Sequence, residues 1–159
     1  MTIRVGDPLP HATLARVTPD GPDAIQAPAW FAVRTVALFA VPGAFTPTCS
    51  ARHLPGFVEQ AEALKAKGVD EIACTSVNDA FVMAAWAKAS GAEGITMLAD
   101  GNADFARALG LSVDSSAYGM GTRSRRYAML VEDGVVRHLF VDDPGAFKDS
   151  SAEHLLAAL

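Results

Sequence analysis

Cysteine is scarce in this chain, with 2 residues in 159, Cys49 and Cys74. Two thiols exclude a disulfide-stapled scaffold and a four-thiolate zinc site, and no Cys-x-x-Cys pair is present for a thioredoxin-type redox centre. Long apolar runs are also missing: no stretch reaches the roughly 18 residues of a membrane span. The N-terminus, Met1-Thr2-Ile3-Arg4-Val5-Gly6-Asp7, lacks a basic region followed by an apolar stretch, so cytoplasmic residence is expected. Positive charge is sparse. The formal charge is −5, and the one basic cluster is Arg123-Ser124-Arg125-Arg126. Phosphate affinity needs many cationic contacts, so neither nucleic acid nor a membrane is an expected partner. His11, His53, His138 and His154 show no metal-ligand spacing, and no metal or bound cofactor is expected.

What is present is apolar substance. Half of the residues are apolar, enough for a well-filled core, and the length predicts one domain over residues 1–159. Val36-Ala37-Leu38-Phe39-Ala40 reads as a buried strand within 34–41, and Val69 to Val77 and Ile95 to Ala99 as two more. Helices are expected over 49–67, from an Asn78 or Asp79 cap to about Ser90, over 102–109, and after a Ser150 or Ser151 cap with Glu153 in its first turn. Glu132-Asp133-Gly134 marks a hairpin between Tyr127–Val131 and Val135–Val141. His11 to Val17 alternates weakly, as an edge strand does, after turn signals at 7–10 and before others at 19–23. Ala29-Trp30-Phe31 suggests a helical turn that packs Trp30 inward, and residues 111–122 an extended loop. The alternation predicts an α/β fold with a mixed central sheet and helices on both faces.

Cys49 sits where the buried strand has ended and a helix begins, in Val41-Pro42-Gly43-Ala44-Phe45-Thr46-Pro47-Thr48-Cys49-Ser50. There, unpaired backbone N–H groups and the helix dipole favour a thiolate, the reactive form. Free cysteines are also common as inert core residues, and the local sequence leaves both readings standing.

The run from Val41 through Ser50, with His53-Leu54-Pro55-Gly56-Phe57 behind it, resembles the active-site motif of the peroxiredoxins, in particular their type II, or atypical two-cysteine, branch. Further blocks agree: Ala73-Cys74-x-Ser76-Val77-Asn78-Asp79, Leu98-Ala99-Asp100, and Arg126-Tyr127-Ala128 before the hairpin. The similarity spans essentially the whole chain. It implies a thioredoxin-like fold and thiol-dependent reduction of hydrogen peroxide and alkyl hydroperoxides through a sulfenic acid. It implies Cys49 as peroxidatic nucleophile, Thr46 as its hydroxyl partner, Pro42 as its shield and Arg126 as the active-site arginine, with Arg123 and Arg125 facing solvent or the loop. Gly43, Phe45 and His53 are expected to line the substrate pocket, His53 facing it or a partner subunit unless it is a partly buried helix residue. Phe81, Met83 and Trp86 are expected to pack their helix on the sheet, although Phe45 and Phe81 match dimer-contact positions and imply a homodimer.

A second thiol is less well placed. Cys74 lies on a core strand, as a structural thiol or as one that resolves the sulfenic acid after local unwinding. The C-terminal resolving position of animal-type members falls near Asp149, with no cysteine after Cys74. Regeneration by glutaredoxin and glutathione, or by thioredoxin, is therefore favoured. A slow peroxide sensor is the non-enzymatic alternative, and a cysteine hydrolase, needing His53 or His138 as base beside Cys49, the rival enzyme.

The chemistry ranks the helpers. Lowering a thiol pKa from about 8.5 to about 6 raises its thiolate fraction at neutral pH roughly thirtyfold. Lost nucleophilicity returns about tenfold of that. Most of the acceleration must therefore come from donors aimed at the developing oxyanion, for which Arg126, the Thr46 hydroxyl and the Cys49 N–H are the candidates.

Overall fold

The computed structural model describes residues 2–159, and of Cys49 the backbone alone. Strand β3 (Thr35–Ala40) is central, because its residues from Val36 to Ala40 are all buried. Their side chains divide between two cores: Val36, Leu38 and Ala40 face one, Ala37 and Phe39 the other. This is the period-two alternation of a strand covered on both faces. Parallel neighbours β4 (Glu71–Ser76) and β5 (Thr96–Ala99) lie on one side, and the antiparallel hairpin β8 (Tyr127–Glu132) and β9 (Val135–Val141) on the other. With β1 (Thr13–Thr18) and β2 (Gly21–Gln26), the seven strands run in the order β2-β1-β5-β4-β3-β8-β9. Helices α1 (Ala27–Phe31) and α5 (Asp104–Leu109) cover one face through Phe31, Phe105 and Leu109. On the other face lie α2 (Leu54–Glu59), α3 (Ala61–Ala66), α4 (Ala80–Ala89) and α6 (Ala152–Ala158), through Leu54, Phe57, Leu64, Met83, Trp86 and Leu155. The mixed sheet with helices on both faces is as expected, and Trp30 is buried as foreseen.

Helix ends follow their capping chemistry. Asp79 accepts from Val82 N–H at 2.9 Å to start α4, and Ser151 from His154 N–H at 3.1 Å to start α6. The Asp100 carboxylate, at the end of β5, caps α5 by accepting from Phe105 and Ala106 N–H at 3.0 and 2.9 Å. Burial raises the Asp100 pKa, and these two donors oppose the rise.

Three expectations need correction. The expected helix over 49–67 is a π-helical turn, Cys49–His53, then α2 and α3 parted at Gln60. Pro55 lacks an N–H and its ring crowds the carbonyl four residues back, so the wider turn ahead of it takes up the mismatch. The expected edge strand, β1, is paired on both sides, and β2 is the edge. Gly21, Pro22 and Asp23 disguise β2 as a turn, and Pro22 is tolerated because an edge strand has a side with no ladder to break. Residues 111–122 are not simply extended: β6 (Ser112–Asp114) and β7 (Thr122–Ser124) pair across a 3-10 turn, Ser116–Tyr118.

Candidate active site

The stretch after β3 is fixed by bonds to its neighbours. Val41 N–H makes a last strand-like bond to the Thr75 carbonyl at 3.1 Å, and Pro42 then ends the ladder. Ala44 N–H donates to Asn78 Oδ1 at 2.9 Å, which also accepts the Ser76 hydroxyl at 2.7 Å. Phe45 takes φ 65°, a left-handed conformation uncommon for a bulky residue, and reverses the chain. Ser50 N–H to the Thr46 carbonyl, at 2.9 Å, starts the helical ladder across Cys49. The Thr46 hydroxyl donates to the Gly43 carbonyl at 2.6 Å. Its one proton is thereby committed and does not serve the peroxide as expected; its oxygen lone pairs remain able to accept. The nucleophile expectation falls on the Cys49 side chain, which lies outside the described residues.

Arg126 stands immediately before β8. Its Nη1 lies 2.8 Å from His53 Nδ1, and His53 Nε2 lies 2.9 Å from the Ser150 carbonyl oxygen. An arginine can only donate and a carbonyl can only accept. These partners therefore fix His53 as the neutral tautomer with its proton on Nε2. The ring is 0% exposed, among Phe39, Phe57 and Phe147 at centroid distances of 5.0, 5.7 and 4.9 Å. Burial, with the Arg126 charge adding to it, lowers the His53 pKa from 6.5 to about 3, against the opposing pull of the Ser150 carbonyl and Asp142. With both ring nitrogens engaged, His53 has no free position to act as the base of a cysteine hydrolase.

The loop behind this pair is organised by Asp142. Its carboxylate accepts from the N–H groups of Lys148, Asp149 and Ser150 at 3.1, 2.9 and 3.1 Å, and from the Ser150 hydroxyl at 2.6 Å. Burial pushes the Asp142 pKa up, but these donors outweigh it and hold the carboxyl below its usual range. Phe147 closes the loop over the site, its ring 4.8 Å from the Arg52 guanidinium carbon and 5.7 Å from that of Arg126. Sequence reasoning missed Asp142, Phe147 and Ser150, since a carboxylate gathering donors six to eight residues ahead matches no short motif.

A cavity of about 430 Å³ opens in front of Arg126, with Pro42, Thr48, Ser115, Tyr118 and Arg125 also in its wall. Gly43, Phe45 and His53, expected in the substrate pocket, do not border it, and Thr46 is not one of its wall residues, whereas Thr48 is. Gly43 is buried against Thr46 and Arg123, Phe45 is half-exposed, and His53 lies behind Arg126, facing neither pocket nor surface. Arg123 reaches inward as well as to the loop, donating to the carbonyls of Met120 and Val77 at 2.9 and 3.0 Å. Arg125 borders the cavity and donates to the Asp142 carbonyl at 3.2 Å. Cys74 is buried in the middle of β4, opposite Phe39 and Met97. Met83 and Trp86 pack inward as expected, whereas Phe81 is 74% exposed and packs on no sheet. Among the described residues, no three His, Cys, Asp or Glu side chains gather as a metal site.

The Redoxin family model matches residues 4–156. The chloroplastic peroxiredoxin-2E-2 of Oryza sativa subsp. japonica is 54% identical over 99% of this chain and 73% of its own length. The chloroplastic peroxiredoxin-2E of Arabidopsis thaliana is 50% identical over 99% of this chain and 70% of its own. The structure of reduced Prx3 from Vibrio vulnificus in complex with hydrogen peroxide superposes with a TM-score of 0.95, at 54% identity over 99% of both chains. The two plant relatives overturn the expectation of cytoplasmic residence: chains this similar work in chloroplasts, so the features of residues 1–7 do not define a compartment. A family model spanning nearly the whole chain, with relatives at half identity or better, places this thiol-dependent peroxidase in the peroxiredoxin family, on its type II branch.

Proposed function

We propose that Cys49 is the peroxidatic nucleophile, served by Arg126, Thr46 and Pro42. The observation that carries this reading is convergence: Pro42, Thr48 and Arg126 border one cavity beside the turn that begins at Cys49. The Cys49 thiolate attacks the hydroxyl oxygen of a hydroperoxide. A sulfur–oxygen bond forms, the O–O bond breaks, and the sulfur loses two electrons to become a sulfenic acid. The alkoxide or hydroxide that departs takes a proton from water. Arg126 donates to the oxygen on which charge develops, with a planar fork that lysine does not reproduce. The Thr46 hydroxyl, its proton held by Gly43, accepts from the peroxide O–H and so selects the oxygen that meets the sulfur. Pro42 shields the thiolate from water. A cavity far larger than hydrogen peroxide suits alkyl hydroperoxides as well.

The second half of the cycle uses an external thiol and no bound cofactor. The sulfenic acid condenses with one thiol to a mixed disulfide and water, and a second thiol releases Cys49 and a free disulfide. Burial of Cys74 within the sheet favours a one-cysteine cycle fed by glutaredoxin and glutathione, or by thioredoxin, over a Cys49–Cys74 disulfide. The chain acts as a single domain over 1–159. A homodimer through Phe45 and Phe81 accounts for two large apolar side chains left 53% and 74% exposed.

Peroxide loss followed with wild type and Cys49→Ser, under each reductant system, tests the reading. Turnover is expected with at least one system and none with Cys49→Ser; turnover that survives the substitution refutes it.

A further inference from the structure

Arg126 begins and ends a ring of hydrogen bonds. Its backbone carbonyl accepts from Asp142 N–H at 3.0 Å, and the Asp142 carboxylate accepts from Ser150 N–H and Oγ–H at 3.1 and 2.6 Å. The Ser150 carbonyl accepts from His53 Nε2–H at 2.9 Å, and His53 Nδ1 accepts from the Arg126 guanidinium at 2.8 Å. One residue is thus gripped at both its main chain and its side-chain tip. His53 and Ser150 are 0% exposed, so water does not compete for the bond between them.

We propose that Asp142, Ser150 and His53 are positioning residues that set the plane and reach of the Arg126 guanidinium, and through it the rate of attack on peroxide. The proposal rests on the assignment of Arg126 to the reacting oxygen made above. An arginine side chain carries much rotamer freedom, and binding one of its five N–H donors to a fixed acceptor settles the plane of the other four. The acceptor that closes this ring is a neutral ring nitrogen. A carboxylate would orient the fork but cancel its charge, which the developing oxyanion needs. A lone pair on His53 orients the fork without itself cancelling the charge. The negative charge of the ring sits on Asp142, where four donors from Lys148, Asp149 and Ser150 satisfy it. Its part is to hold the Ser150 carbonyl where Nε2–H must meet it, so that Nδ1 can only accept.

The test compares two reactions of Cys49 at neutral pH: oxidation by hydrogen peroxide in stopped flow, and alkylation by iodoacetamide, which needs thiolate but no donor to oxygen. His53→Gln keeps an amide donor for Ser150 and has no acceptor at the Nδ1 position. It is expected to slow oxidation by about 10- to 100-fold, the scale of a misplaced catalytic group, and alkylation by less than about threefold. His53→Asn, with an amide oxygen near Nδ1, is expected to recover most of that loss. In an Arg126→Ala background His53→Gln should cost nothing further. The proposal is overturned if His53→Gln slows both reactions alike, slows neither, or costs as much without Arg126. An Arg126→Ala variant that oxidises at the wild-type rate would instead remove the assignment beneath it. Asp142→Asn, outside the aromatic cluster, carries the same comparison should the His53 variants fail to fold.

Discussion

The indole N–H of Trp86 donates to Ser50 Oγ at 2.9 Å, tying the middle of α4 to the residue that follows Cys49. Trp86 is 1% exposed, so this is a buried donor with a specific partner. Ser50→Ala leaves the donor unpaired, and the desolvation cost of an orphaned buried group is about 1–3 kcal/mol. Urea unfolding is expected to shift to a lower midpoint by that amount at unchanged slope, and Ser50→Thr to restore most of it. An unshifted Ser50→Ala midpoint would mean that water takes the place of the hydroxyl.

Stability should also depend on His53. The group is neutral in the fold, with its pKa lowered from 6.5 to about 3, so between these values the unfolded chain binds the extra proton. Stability is therefore fully present above pH 6.5 and falls as pH drops towards 3, by about 2 kcal/mol at pH 5. Asp142, held low, loses its contribution only below the ordinary carboxylate range, and Asp100, held high, acts in the opposite sense, so the His53 share is read from the difference between wild type and variant. Chemical unfolding from pH 7 to 5 should show the slope in wild type and a much flatter one in His53→Gln. Equal slopes would show that the imidazole is not held neutral.

The strands were readable wherever a side chain's neighbours lie in its own segment. Val36 to Ala40 is apolar on both faces, and Asp133-Gly134 sits between two largely apolar runs, so β3 and the β8–β9 hairpin announce themselves. β2 does not, because its partner β1 supplies the pairing that Gly21 and Pro22 argue against. The site divides in the same way. Pro42, Thr46 and Cys49 lie in one continuous motif, and Arg126 was found through the resemblance alone. For His53 the sequence leaves pocket, partner and partial burial open, and its full burial is decided by Ser150, 97 residues later. Nothing local records that a carbonyl from the last loop meets an imidazole from the π-helical turn.

Gly43 lets the loop fold tightly over Thr46. A Cβ at that position would lie 3.1 Å from Thr46 Cγ2 and 3.5 Å from Arg123 Nη1, the nitrogen that donates to the Val77 carbonyl. Gly43→Ala must push Thr46 aside or strain the Arg123 tether, and overpacking of this kind costs about 1–3 kcal/mol. A lower unfolding midpoint and slower peroxide oxidation are expected together. Wild-type behaviour in both would show that the loop yields without disturbing Thr46.

Arg126→Lys and Thr46→Val separate thiolate formation from oxygen activation. Lysine keeps the positive charge but loses the planar fork, one nitrogen of which rests on His53 while the residue lines the cavity. Valine keeps the shape of Thr46 but offers the peroxide no lone pair and leaves the Gly43 carbonyl without that donor. The pH dependence of iodoacetamide alkylation reports the Cys49 pKa, and stopped-flow oxidation reports the peroxide step. Losing one oriented group at a developing charge is expected to slow oxidation by about 100-fold in each variant. The Cys49 pKa should move by less than about one unit, which through the thiolate fraction and its opposing nucleophilicity is worth only a few-fold. Small and equal effects on both quantities would leave the thiolate as the main source of rate and reduce Arg126 and Thr46 to scaffolding.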